Sequence, residues 1–389
     1  MKRLPYLLFF TALITGCAQS PEHANVPREF TNTVQPLDNP NIRVWGDTTS
    51  GERMAKFATK LEQASSDKAD KNILALSGGG ANGAFGAGVL SAWSDSGERP
   101  DFDIVTGVST GAIISVFAFL GSDYDYEIID FYTNSSDEDL YSKKSIFSII
   151  NSTSVLDIEP FENMLRDTIT PNILEKVAEK HAQGKALLIG TTNLDTQRLS
   201  VWNMGEIAAI GTKESEALFE NIILASTAVP GAMPAVQIDV QIDGQTYQEV
   251  HVDGGVARQV FLFPDSWDIA SMNPQKSHDL NIYVIRNGEF LPRWATTEMT
   301  LANVASRSLD TIIKYQGRSD VMQIYHQAVA AGANFHFSHI GEDFVTEKDP
   351  SLQFDNPYMR ALYDYGYEQT KQGLVWDHEP PTYRTQSIK

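Results

Sequence analysis

Short apolar runs alternate with longer stretches of helical spacing from Lys71 onward. NILAL (72–76), FDIVTGV (102–108), ALLIGTTN (186–193) and NIYVIRN (281–287) have the length and continuity of buried strands. GAIISVFAFL (111–120), IEPFENMLRDTI (158–169) and EALFENIILAS (216–226) carry apolar residues at helical intervals. The stretch 294–333 is largely helical in pattern, and ANFHFSHI (333–340) alternates as a late strand does. PYMRALYDYGYEQTKQGL (357–374) reads as a final helix that stops at Gly373. Buried strands alternating with helices predict an α/β fold with a mainly parallel central sheet.

Before Lys71 the texture differs. Met1-Lys2-Arg3 is a basic start, followed by the apolar stretch LPYLLFFTALI, too short to span a bilayer comfortably. It ends in ITGC (14–17), which resembles the lipobox of bacterial lipoproteins. Cys17, the sole cysteine, stands where lipid would be attached. Residues 18–48 are polar and carry Pro21, Pro27, Pro36 and Pro40, and residues 51–66 could form one short amphipathic helix. The expected organisation is a signal peptide over 1–16, a polar tether over 17–50 and a catalytic domain over 51–389. In that domain the core motifs lie in 71–290 and the mostly helical part in 291–389. Ala18 follows Cys17 in place of the Asp that commonly retains such lipoproteins at the inner membrane. The resemblance therefore implies anchoring in the outer membrane of a Gram-negative cell envelope.

Charge narrows the partners. Fifty acids against 30 bases leave a net −20, a surface that repels nucleic acid and is not drawn to anionic lipid. Membrane contact by such a domain has to be apolar or covalent. An apolar content of 42% supports a sizeable core. No spacing of metal ligands stands out, and no metal or cofactor is expected.

Three glycine clusters carry the candidate chemistry. Gly78-Gly79-Gly80-Ala81-Asn82-Gly83 follows the first strand-like run and also satisfies G-x-G-x-x-G. A dinucleotide reading needs an acid at the carboxyl end of the next strand, but Asp101 and Asp103 precede the apolar Ile104-Val105. No Gly-Lys-Ser/Thr follows to make a phosphate loop. The second cluster, Gly107-Val108-Ser109-Thr110-Gly111, is G-x-S-x-G between a strand-like and a helix-like run. That is the setting of a nucleophile elbow, with Ser109 exposed on a tight turn and a helix dipole behind it. The third is Asp253-Gly254-Gly255 at a strand end. Together they fit acyl transfer: Ser109 as nucleophile, Asp253 as its base, and backbone N–H groups of Gly78, Gly79 and Gly80 as an oxyanion hole. Gly83, Gly107, Gly111, Gly254 and Gly255 support the turns.

In this order the clusters resemble the patatin-like phospholipases, which pair a glycine-rich oxyanion loop, a G-x-S-x-G serine and a D-G-G/A aspartate as a Ser-Asp dyad. ASTAVPGAMPAV (225–236) is similar to that family's A-S-x-A-x-P loop, and LSVWNMG after LIGTTNLDTQ is similar to its usual strand pair. The resemblance covers residues 71–290 and implies a three-layer α/β/α fold and hydrolysis of a lipid or other acyl ester through an acyl-enzyme. One position departs: Asn82 stands where the family often has Arg or Lys. Two other readings stay open. A Ser-His-Asp triad would use His251, or one of His278, His326, His336, His339 and His378. A non-catalytic membrane-anchored scaffold would keep the fold without the activity.

Overall fold

The computed structural model describes residues 24–47, 70–143, 154–264, 269 and 279–382. Cys17, the signal-like segment, the 51–66 helix reading and His278 lie outside the described residues. The strands are β1 (Arg43–Trp45), β2 (Lys71–Leu76), β3 (Ile104–Val108), β4 (Ser142–Lys143), β5 (Leu156–Asp157), β6 (Ala186–Asn193), β7 (Arg198–Asn203), β8 (Val236–Ile242), β9 (Gln245–Asp253), β10 (Leu280–Glu289) and β11 (Asn334–Ile340). The α-helices are α1 (Gly83–Asp95), α2 (Thr110–Leu120), α3 (Asp125–Asn134), α4 (Asp137–Leu140), α5 (Glu159–Thr168), α6 (Pro171–Ala182), α7 (Met204–Ile210), α8 (Lys213–Thr227), α9 (Leu301–Ala331) and α10 (Asn356–Lys371).

Among the described residues nine strands form one mixed sheet in the order β1-β7-β6-β3-β2-β10-β11, with the β8–β9 hairpin attached to the end of β6. β6, β3, β2, β10 and β11 are parallel. They are the continuous apolar runs of the sequence because helices or coil cover both faces. Alternation along each strand sends Leu74, Leu76, Val105, Leu187 and Ile189 to one face, where they meet Phe85, Ile114, Phe117, Ile128, Phe219 and Leu362 from α1, α2, α3, α8 and α10. Ile73, Ala75, Ile104, Val108 and Leu188 point the other way, onto residues 260–263 and the second half of α9. This is an α/β fold of three unequal layers.

The order of connections positions the site. β2 has β3, the next strand in the chain, on one side and β10 on the other. Chain order therefore reverses at β2, and the crevice outside the carboxyl ends of β2 and β3 is where such sheets bind ligands. The glycine loop leaves β2 and Ser109 leaves β3 at this edge.

The tether expected over 17–50 is corrected where it is described. Residues 24–47 belong to the folded body. β1 pairs antiparallel with β7, and Ile42, Val44 and Trp45 are buried. Val26 and Val34 make a small core with Val240, and Arg43 forms a buried ion pair with Glu249 on β9. The polar composition hid this, because the apolar residues are few and the anchor is a charge pair.

Candidate active site

Ser109 is the residue between β3 and α2, with φ 55° and ψ −126°. A positive φ on a non-glycine residue is costly and persists only where surroundings enforce it. Here Gly111 lies against the carbonyls of Leu76 and Ser77, where any Cβ would collide, so the elbow is wedged on the end of β2. Gly107 is packed as closely against the Gly111 carbonyl. The Ser109 N–H donates to Ser226 Oγ at 2.9 Å, and Ser226 Oγ donates to the Gly190 carbonyl at 2.7 Å. The family-like loop 225–236 thus does a definable job. Its Ala228 carbonyl also accepts the Asp253 N–H at 3.0 Å, so one loop ties down both candidate catalytic residues.

Asp253 ends β9, close enough to Ser109 for that side chain to favour its charged form. Gly255 N–H donates to Asp253 Oδ1 at 2.6 Å. Burial pushes the carboxyl up from 3.8 to about 6, and Ser109 and the Gly255 N–H pull the other way without prevailing. Gly254 passes so close to the Gly190 carbonyl that a side chain would collide. Gly83 leaves the space that Thr110 and Tyr132 occupy, and those two hydroxyls are hydrogen-bonded.

The glycine loop splits by role. Gly78 is corrected as an oxyanion donor: its N–H is committed to the Gln259 carbonyl at 3.0 Å. A Cβ on it would come within 3.1 Å of Ser109 Cβ, so its role is to let the loop pass the nucleophile. Gly79 and Gly80 line the cavity that opens at Ser109, and Gly80 has φ +56°. Asn287, at the end of β10, clamps this loop. Its Nδ2 donates to the Ser77 carbonyl at 2.9 Å, its Oδ1 accepts the Gly86 N–H at 3.1 Å, and its backbone collides with any Cβ on Gly79. Sequence reasoning missed Asn287 and Gln259, since neither lies in a motif.

The cavity measures about 370 Å³. Ile113, Phe131, Leu156, Phe161, Met233 and Phe354 make most of its wall apolar, and Asn82, Lys348 and Gln353 supply polar groups. Tyr358 from α10 donates to Asn82 Oδ1 at 2.8 Å. Burial lowers the Lys348 pKa, against the fields of Asp137 and Asp355.

The described histidines are engaged elsewhere. His251 is fully buried, with Nδ1 2.9 Å from Thr191 Oγ1 and Nε2 3.2 Å from Glu249 Oε2. His336 stacks on Tyr283, His339 on Phe337, and His378 packs edge-on to His336. His326 packs against Tyr325, and His181 faces Glu206. Among the described residues no group of three His, Cys, Asp or Glu side chains is placed to hold a metal ion.

No curated protein matches the chain. Among solved structures, it is similar to VipD from Legionella pneumophila at 15% identity, covering 78% of this chain and 66% of that one, with a TM-score of 0.41. It is also similar to ExoU from Pseudomonas aeruginosa, at 16% identity over 67% of this chain and 52% of that one, with a TM-score of 0.31. For human GIVD cytosolic phospholipase A2 the values are 12%, 85%, 67% and 0.31. The chain thus spans less than two thirds of the first two structures. A family model described as patatin-like phospholipase matches residues 74–264. That span runs from β2 past Asp253 and takes in all three glycine clusters. On this match the chain carries a patatin-like phospholipase domain over residues 74–264.

Proposed function

We propose that the protein is a serine lipid acyl hydrolase in which Ser109 and Asp253 act as a dyad. One observation carries this reading: a buried carboxylate, Asp253, stands beside an elbow serine that opens on a mostly apolar cavity. Ser109 Oγ attacks the acyl carbonyl carbon while its proton passes to Asp253. The oxyanion forms beside the N–H groups of Gly79 and Gly80, and each such donor is worth about 3–4 kcal/mol. Collapse breaks the ester C–O bond, and Asp253 returns the proton to the departing alcohol. Water then attacks acyl-Ser109 and gives its proton to Asp253, which passes it to Ser109 Oγ as the fatty acid leaves. An ordinary carboxylate, near 3.9, is a weak base for a hydroxyl, and the raised Asp253 is a better one.

A fluorophosphonate probe and a short-chain soluble ester test this. The probe should label Ser109, and Ser109→Ala should abolish both labelling and hydrolysis while leaving the fold intact. Full hydrolysis by the alanine variant would end the dyad reading.

We also read Cys17 as a lipid attachment site that holds the domain at a membrane of the cell envelope. Membrane fractionation of the wild type and Cys17→Ser tests it. Wild type recovered in the soluble fraction with unmodified Cys17 would overturn it.

A further inference from the structure

α9 is a helix in two halves. Its buried residues, Gly317, Asp320, Val321, Ile324, Ala328 and Ala331, all lie in the second half, which packs on the sheet. Residues 301–316 extend beyond it for about 24 Å at 1.5 Å per residue. Because α9 leads at once into β11, its first half points past the carboxyl edge of the sheet, the edge that carries Ser109.

This first half is amphipathic with its faces reversed. At 3.6 residues per turn, Leu301, Val304, Leu309, Ile312, Ile313 and Tyr315 share one side, and Asn303, Arg307, Asp310 and Lys314 share the other. A helix on a folded body normally turns its apolar side inward. Here the polar side faces the body. Lys314 Nζ donates to Glu289 Oε2 at 2.8 Å and to the Leu291 carbonyl at 3.2 Å, and Arg307 Nη2 donates to the Arg293 carbonyl at 2.6 Å. The apolar side is left in solvent, with Leu301 90%, Leu309 60% and Ile312 62% exposed. Trp294 and Met299, just before the helix, are 86% and 91% exposed.

The stripe runs into the catalytic turn. Gln316 Nε2 donates to the Val256 carbonyl at 3.3 Å, and Gln316 Oε1 accepts from Gln259 Nε2 at 3.3 Å. Gln259 is the residue whose carbonyl holds Gly78, and exposed Val256 lies three residues after Asp253. Local charge is balanced: residues 289–320 hold four bases (Arg293, Arg307, Lys314, Arg318) and four acids (Glu289, Glu298, Asp310, Asp320), in a chain of net −20.

We propose that the apolar stripe of residues 301–316, with Trp294 and Met299, is a docking surface for a lipid bilayer and lies in its interface. The inference rests on the lipid hydrolase reading, because it explains how a substrate held in a membrane meets Ser109. Exposed apolar side chains on a face without net negative charge suit the boundary between acyl chains and head groups, and an exposed tryptophan belongs at that depth. Among the described residues no helix is long and apolar enough to cross a membrane, so the helix lies along the surface.

The test places one environment-sensitive nitrobenzoxadiazole label on α9 of the full chain. Ile312→Cys or Asp310→Cys is made with Cys17→Ser, which removes the only native thiol, and with Ser109→Ala, which leaves the lipid uncleaved. The label reports the helix itself, so binding through the amino-terminal segment does not imitate it. On vesicles of phosphatidylethanolamine and phosphatidylglycerol, the label at 312 should shift to the blue and brighten severalfold, and the label at 310 should not. No shift at 312 would overturn the proposal. A shift without vesicles, together with a dimer in sedimentation, would assign the stripe to a second copy and also overturn it. In the active chain, Leu309→Glu with Ile312→Glu should lower vesicle hydrolysis at least about tenfold and change soluble-ester hydrolysis less than about twofold. Equal losses on both substrates would count against docking. An unchanged wild type that cleaves no soluble ester would count against the hydrolase reading alone, since the label answers separately.

Discussion

Ser226 holds Ser109 in its strained pose: its Oγ accepts the Ser109 N–H at 2.9 Å and donates to the Gly190 carbonyl at 2.7 Å. Both serines are buried, so no water easily replaces this bridge. Ser226→Ala leaves a buried N–H without its acceptor, which costs about 1–3 kcal/mol. It also lets the elbow relax toward an ordinary backbone pose. The expected result is a lower unfolding midpoint in urea and a fall in kcat of about tenfold or more with little change in KM. Unchanged kcat would show that the wedge of Gly107 and Gly111 holds the elbow unaided.

Asp253 links activity and stability with opposite signs. Hydrolysis requires the carboxylate, so kcat/KM should fall as pH drops through about 6, the value to which burial raises this group. The same burial destabilises the fold once the group ionises. The folded state holds its proton up to about 6 and the unfolded chain only up to 3.8, so stability is lost as pH rises between them. The loss is about 3 kcal/mol at pH 7 or above. Asp253→Asn should therefore be inactive and melt at a higher temperature than wild type at pH 8. At pH 4 the two should melt nearly together. A variant less stable at pH 8 would mean that the interactions of Ser109 and Gly255 with the carboxylate outweigh the desolvation.

The parallel strands were readable because burial on both faces writes an unbroken apolar run, as in Ala186–Asn193, predicted to the residue. Ser109 and Asp253 were readable because a tight strand-to-helix turn and a sharp strand exit admit few sequences. The β8–β9 hairpin was overlooked although Asp243-Gly244, at φ 51° and 78°, is a strong hairpin turn signal. Polar alternation around it (QIDVQIDGQTYQEV) lacks the apolar run that marked the other strands. Gln259 and Asn287 act through backbone groups of residues far away in sequence, and spacing carries no trace of that. The inverted face of α9 was invisible for another reason: periodicity gives a helix its two sides but not which side the body takes.

Arg43 and Glu249 fasten the amino-terminal segment to β9. Arg43 Nη2 also donates to the Val34 carbonyl at 3.0 Å. Burial alone would raise the Glu249 carboxyl, but Arg43 and His251 outweigh it and hold it down at about 2. Its contribution is therefore present above 4.5 and lost as pH falls toward 2. Glu249→Gln leaves Arg43 as an uncompensated buried charge and should cost about 3–5 kcal/mol in urea unfolding at pH 7. Arg43→Met with Glu249→Leu should recover most of that loss. A double variant as weak as the single one would show that the pair is needed for packing rather than for charge balance.

Lys348 and Asn82 line the same cavity. Asn82 stands where related loops often carry Arg or Lys, and it is held by Tyr358 on the wall of the same cavity that Lys348 lines. Burial makes the charged lysine costly, so an anion that enters the cavity offsets part of that cost. Substrates with a phosphate or carboxylate near the ester should gain from it, and neutral esters should not. Lys348→Met keeps the length of the side chain and removes its charge. It should raise KM for an anionic phospholipid presented in neutral micelles by about tenfold, while kcat on a neutral short-chain ester stays within about twofold. Equal effects on the two substrates would place Lys348 in the packing of the cavity wall, and substrate charge would then have to be read by another group.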